Sequence, residues 1–163
     1  MNKIYGFFVL LMMIVFSAFT EDATIQKNSV LLSFEDTKFK KGLIKEMKNL
    51  LEKDGITVVV VNHTNGDSLA QLAATDFNAV FITNSGINSK VRPWVLDWLN
   101  KNERSASRII LHTTQIRKWE VKTPVKVDAI TSASKNGKVK SLAAEYSMKL
   151  KTIIKSSQVP SPQ

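Results

Sequence analysis

The sequence predicts a three-layer α/β sandwich: a five-stranded parallel sheet, ordered 2-1-3-4-5, with helices on both faces. Three observations lead there. Across residues 29–155, short β-branched apolar runs alternate with longer stretches of helical periodicity, the pattern of a parallel sheet covered by crossover helices. Residues 56–61 are apolar apart from Thr57, as expected of a strand buried on both faces. Right-handed crossovers then make 2-1-3-4-5 the simplest arrangement of five strands, and they put ligand chemistry beyond the carboxyl ends of strands one, three and four.

Residues 30–34 form the first strand. Thr37 is placed to cap a helix whose apolar residues Phe39, Leu43, Met47, Leu50 and Leu51 recur at helical spacing, and Gly55 ends it because glycine accepts a left-handed C-cap cheaply. After the second strand, residues 68–74 hold at most two turns of helix. Residues 78–83 form the third strand. Ser89 is a candidate cap for the next helix, with Pro93 in its first turn and Val91, Trp94, Val95, Trp98 and Leu99 on one face, which makes these tryptophans core residues rather than a ligand box. Residues 108–113 and 127–131 supply strands four and five, and Val139, Leu142, Ala143, Tyr146, Leu150, Ile153 and Ile154 mark a long closing helix. The tail, residues 156–163, with Pro160 and Pro162, reads as disordered.

A chain of 163 residues with 44% hydrophobic content has room for one core, here residues 29–155, and not for two. Lys3 followed by the apolar residues 7–16 and then Ser17 and Ala18 has the form of a secretory signal in residues 1–20, with an uncleaved anchor as the alternative. The rest of the chain is then expected in a secreted or periplasmic setting. The absence of cysteine excludes a disulfide framework, a thiolate nucleophile and a thiolate zinc site. The formal charge of +9 invites a nucleic-acid reading. However, Lys38, Lys40, Lys41, Lys45 and Lys48 are strewn along a helix without interleaved aromatics, so a solvated face is expected and no nucleic acid. Weak association with an anionic membrane surface remains compatible with that charge.

Residues 30–34, the DFNAVFITNSG stretch ending at Gly86 and the RIILHTT stretch ending at Thr114 resemble the flavodoxin-like group, and the likeness covers most of the chain after the leader. The resemblance implies FMN in a crevice at the strand ends, its phosphate cradled by a loop of approximate form T-x-T-G-x-T. Ser33, Thr37 and Lys38 would then stand on the phosphate side, Thr83, Asn84, Ser85 and Gly86 on the second loop, and Thr113 and Trp119 on the third, with the Trp119 ring able to stack on a planar ligand. The run Asp128, Ala129, Ile130, Thr131, Ser132, Ala133, Ser134 is similar to the D-x-x-[ST]-G-A-[ST] signature of covalent FMN attachment, with Ser132 in place of its glycine. That adds Thr131, Ser132 and Ser134 to the expected crevice.

The first loop departs from the family. It contains no glycine, and Glu35 and Asp36 stand where a phosphate would sit, each like charge costing on the order of 1 kcal/mol. Adjacent carboxylates are also explained as helix openers favoured by the dipole. Asn84, Ser85 and Gly86 are ordinary turn formers as well as ligand-loop residues, and His63 and His112 fall on separated strands, which argues against a two-histidine metal site. No G-x-S-x-G elbow, H-E-x-x-H or P-loop is present. The sequence thus points to an exported binding or interaction module for a small molecule or protein partner, without the usual FMN phosphate loop. One alternative is an FMN-binding electron-transfer protein outside the cytoplasm. Another is a hydrolase using Asp36 or Asp128 as acid/base with His112.

Overall fold

The computed structural model describes residues 28–86, 90–115 and 120–157. The leader, the cap expected at Ser89, the ring of Trp119 and residues 158–163 lie outside them. Strand β1 (Ser29–Phe34) leads into helix α1 (Lys38–Lys53), then β2 (Thr57–Asn62), a single turn α2 (Asp67–Ala70), β3 (Ala79–Ser85), α3 (Pro93–Lys101), β4 (Ile109–Thr114), β5 (Asp128–Ser132) and α4 (Val139–Ser157). The five strands form one sheet ordered β2-β1-β3-β4-β5, every pair parallel.

Side chains alternate across β1 and β3 and build two cores. Val30, Leu32, Ala79 and Phe81 meet Leu43, Met47 and Leu51 of α1 and Tyr146, Leu150 and Ile154 of α4. Leu31, Val80, Ile82 and Leu111 point the other way, onto Leu69, Val95, Trp98 and Leu99. The period of two in each strand therefore feeds both helix layers. Trp98 is buried and donates Nε1 to the Leu72 carbonyl at 2.8 Å, which makes it core, as its helical spacing implies.

The caps follow local chemistry. Thr37 Oγ1 accepts from the Lys40 amide at 3.3 Å, and Gly55 sits at φ +76° just past the end of α1. For α3, Arg92 is the N-cap and Pro93 the first helical residue, where the missing proline N–H costs nothing.

Three expectations need correction. The second strand is an edge strand beginning at Thr57, and it is not buried on both faces: Val59 and Val60 are 37% and 39% exposed. Its apolar run matches an interior strand, but only β1 pairs with it among the described residues. The closing helix runs through Ser157, so the tail cannot begin at Ser156. Lys40 does not belong to a solvated lysine face, because its side chain is only 1% exposed.

Candidate functional site

Because all strands run in parallel, the carboxyl ends of β1, β3, β4 and β5 share one edge of the sheet. The register fixes the alignment there: Phe34 lies beside Thr83, Asn84 beside Thr113, Ser85 beside Thr114, and Thr114 beside Ser132. Gly86 continues the seam, its amide donating to the Thr114 carbonyl at 3.0 Å.

Glu35 follows directly on β1, and its carboxylate turns inward rather than toward the helix start. Its Oε2 accepts from Lys40 Nζ at 2.6 Å and from the Ser85 amide at 2.6 Å, while Oε1 accepts from Arg92 Nε. Lys40 Nζ also donates to Ser85 Oγ at 2.5 Å. Burial alone would raise the Glu35 carboxyl, but the hydrogen bonds from Lys40, Ser85 and Arg92 overturn that and hold it at about 2. Burial lowers the Lys40 ammonium from its ordinary value against the attraction of Glu35. The pair is ionised, and Arg92, stacked with its guanidinium carbon 5.4 Å from the Trp94 ring centroid, adds a second cation. Asp36 behaves differently: it is exposed and pairs with Lys41 at 2.7 Å. Reading Glu35 as a helix opener is therefore overturned, since the chemistry of burial dictates its partners.

Two histidines anchor polar layers beneath this edge. Ser33 Oγ and His63 Nδ1 share a 2.7 Å hydrogen bond on one side of the sheet. On the other, His112 bridges Thr83 Oγ1 at 2.7 Å and Ser132 Oγ at 2.9 Å and packs against the rings of Phe81 and Tyr146. Burial pushes His63 down to about 4 and His112 down to about 3, so both are neutral across the physiological range. Burial also raises the Tyr146 phenol to about 12. A neutral imidazole that resists protonation this strongly is a poor general base.

The expected site residues thus divide. Ser85 and Gly86 are half-buried at the edge itself. Asn84 is buried and donates to Thr113 Oγ1 at 2.9 Å, while Ser33 and Thr83 are consumed by the histidines. Thr37 caps α1, and Lys38, Thr131 and Ser134 are exposed along the same edge. Asp128 sits opposite Ile110, short of the edge, and pairs with Lys149 at 3.0 Å, while Asp36 is held at the end of β1. The carboxylate and histidine arrangement suggested for hydrolysis is therefore not assembled. Lys40 and Arg92 were missed. Lys40 carries a signal in hindsight, since it shares a helical face with Ile44, Met47 and Leu51.

Two grooves of about 490 and 380 Å³ lie at the opposite end of the sheet, the larger lined by Asn28, Ile56, Met148 and Ile154. Among the described residues no cluster of three His, Asp or Glu side chains is placed to hold a metal ion.

Strand order, parallel register and this edge define a flavodoxin-like domain. Among solved structures the chain is similar to a flavodoxin from the domain Archaea, with a TM-score of 0.54 and 11% identity over 78% of this chain and 99% of that one. It is also similar to the flavodiiron protein from Giardia intestinalis, with a TM-score of 0.56 and 11% identity, but spans only 36% of that chain against 80% of its own. Flavodoxin 1 from Bacillus cereus gives a TM-score of 0.50 at 5% identity, covering 77% of this chain and 98% of that one. No protein-family model matches the sequence, and no curated protein does either. At these identities the likeness is one of fold.

Proposed function

We propose that this protein is an exported flavodoxin-like binding or interaction module that does not hold FMN by its phosphate. One observation carries the reading. The Glu35 carboxylate lies at the end of β1 and is already bonded to Lys40, Arg92 and the Ser85 amide, donors that a phosphate entering there would need. A phosphate dianion would meet a carboxylate that stays ionised down to about pH 2, and its repulsion is only weakly screened in a buried setting. The loop from Glu35 to Lys38 also lacks the glycine that lets backbone amides crowd round a phosphate. The residues present therefore do not fit the phosphate of FMN. Lys3 and the apolar residues 7–16 support export.

The test is direct. Protein purified from the native host should be colourless and should not take up added FMN in a fluorescence-quenching titration. A yellow protein, or FMN binding that riboflavin does not match, would establish the electron-transfer alternative instead. Recovery from the extracytoplasmic fraction, with the N-terminus starting near Phe19 or Glu21, checks export.

A further inference from the structure

We infer that Lys40 Nζ, Arg92 Nε and the Ser85 amide constitute a carboxylate-binding site that the chain fills with its own Glu35, and that Glu35→Ala opens this site to a small external carboxylate. The inference builds on the reading that Glu35 replaces a ligand anion, and it adds what the vacated donors would recognise.

The donors come from three separate elements, α1, the end of β3 and the start of α3, and they converge on the two oxygens of one carboxylate. An ammonium, a guanidinium and a backbone amide together form a donor set that prefers an anionic oxygen pair over any neutral partner. The set is also held in place independently of Glu35. Lys40 is fixed on α1 and bonded to Ser85 Oγ, the Ser85 amide belongs to a strand hydrogen-bonded to β4, and Arg92 lies over the Trp94 ring. Two cations, one 1% and the other 28% exposed, face a single anion. Deleting that anion leaves a buried positive charge with no counterion, which is strongly unfavourable unless an external anion enters. Acetate supplies the same carbon and oxygen atoms that Glu35→Ala removes. The native carboxylate is covalently tethered beside its donors, so it outcompetes free carboxylates in the unmodified protein.

Thermal unfolding of full-length Glu35→Ala, compared in sodium acetate and in sodium chloride of equal ionic strength at neutral pH, tests the inference. Acetate should raise Tm with the logarithm of its concentration, by about 4 °C at ten times its dissociation constant, while the unmodified protein should show equal Tm in the two salts. Adding Lys40→Met to the variant should abolish the acetate effect. If Glu35→Ala is unfolded in chloride, recovery of its helical circular dichroism on adding acetate is the same readout. Equal behaviour in the two salts, or failure to fold in either, overturns the inference, whereas FMN binding by the unmodified protein overturns the functional reading and not this one. A larger response to inorganic phosphate than to acetate would overturn the assignment to a carboxylate.

Discussion

A β-carbon added to Gly66 would stand 2.9 Å from Cγ of Trp94, so the turn after β2 and the first turn of α3 are fitted to each other at van der Waals contact. Gly66 is also at φ +89°, where any other residue is strained. Gly55, at φ +76°, has open space around it. Gly55→Ala should therefore cost about 1 kcal/mol from backbone strain alone. Gly66→Ala should cost clearly more, and a Trp94→Leu background should bring the two closer. Urea denaturation of the variants measures the difference, and equal costs would remove the contact as a constraint.

Lys40 and Glu35 neutralise each other in a buried setting. Lys40→Met leaves the carboxylate with Arg92 and the Ser85 amide but without its closest cation, and should cost about 3–5 kcal/mol, as breaking a buried pair does. The double variant Glu35→Leu/Lys40→Met should be less unstable than the sum of its single changes. A double-mutant cycle by chemical denaturation reads the coupling directly, and additivity would mean that the pair contributes nothing specific.

Acid should destabilise this protein through its buried histidines and then also through Glu35. His63 and His112 have folded values depressed to about 4 and about 3, below the ordinary 6.5, so below pH 6.5 the unfolded chain binds protons that the folded one refuses. Stability then falls with pH by up to about 1.4 kcal/mol per unit for each histidine. Glu35, depressed to about 2, adds a further loss between about pH 4.5 and 2, because its contribution is present above the unfolded value and vanishes as pH drops through the folded one. His112→Gln should flatten the profile between pH 6.5 and 3, as measured by Tm against pH, and an unchanged slope would place the protonation elsewhere.

The outer strand β2 presents Val59 and Val60 to solvent on a regular edge without charge or proline, an arrangement prone to edge-to-edge association. Val60→Lys should change unfolding free energy by less than about 1 kcal/mol while slowing aggregation on heating. Light scattering during a thermal ramp checks this, and unaltered aggregation would assign the process to another surface.

Much of the architecture was legible because it rests on periodicity. The runs at β1, β3 and β4 and the stripe Phe39, Leu43, Met47 report burial directly, and the Thr37 cap and the Gly55 stop follow from local backbone chemistry. What failed is what depends on neighbours distant in the chain. Residues 57–62 carry an interior strand's composition, and only the topology reveals that one flank is open. Glu35 next to Asp36 has the look of a helix-opening pair because two of its three partners, Ser85 and Arg92, are 50 and 57 residues away. Lys40 was legible in principle as a charge on an apolar stripe, but a lysine-rich helix hides one buried lysine among solvated ones. For Ser33 and Thr83 the sequence does not show their bonds to His63 and His112, because a hydroxyl at a strand end looks the same whether it faces a ligand or a histidine.

Asn28, where the described chain enters β1, and Ile154, near the end of α4, line the same groove at the base of the sheet, so the polypeptide enters and leaves on one side. A fusion partner, an affinity handle or a sensor surface joined directly at Asn28 or Ser157 therefore meets the blunt end of the domain. Ser85 and Gly86 stay half-buried at the other end with the Glu35 carboxylate buried beneath them, and immobilisation at Asn28 or Ser157 leaves that edge open to titration.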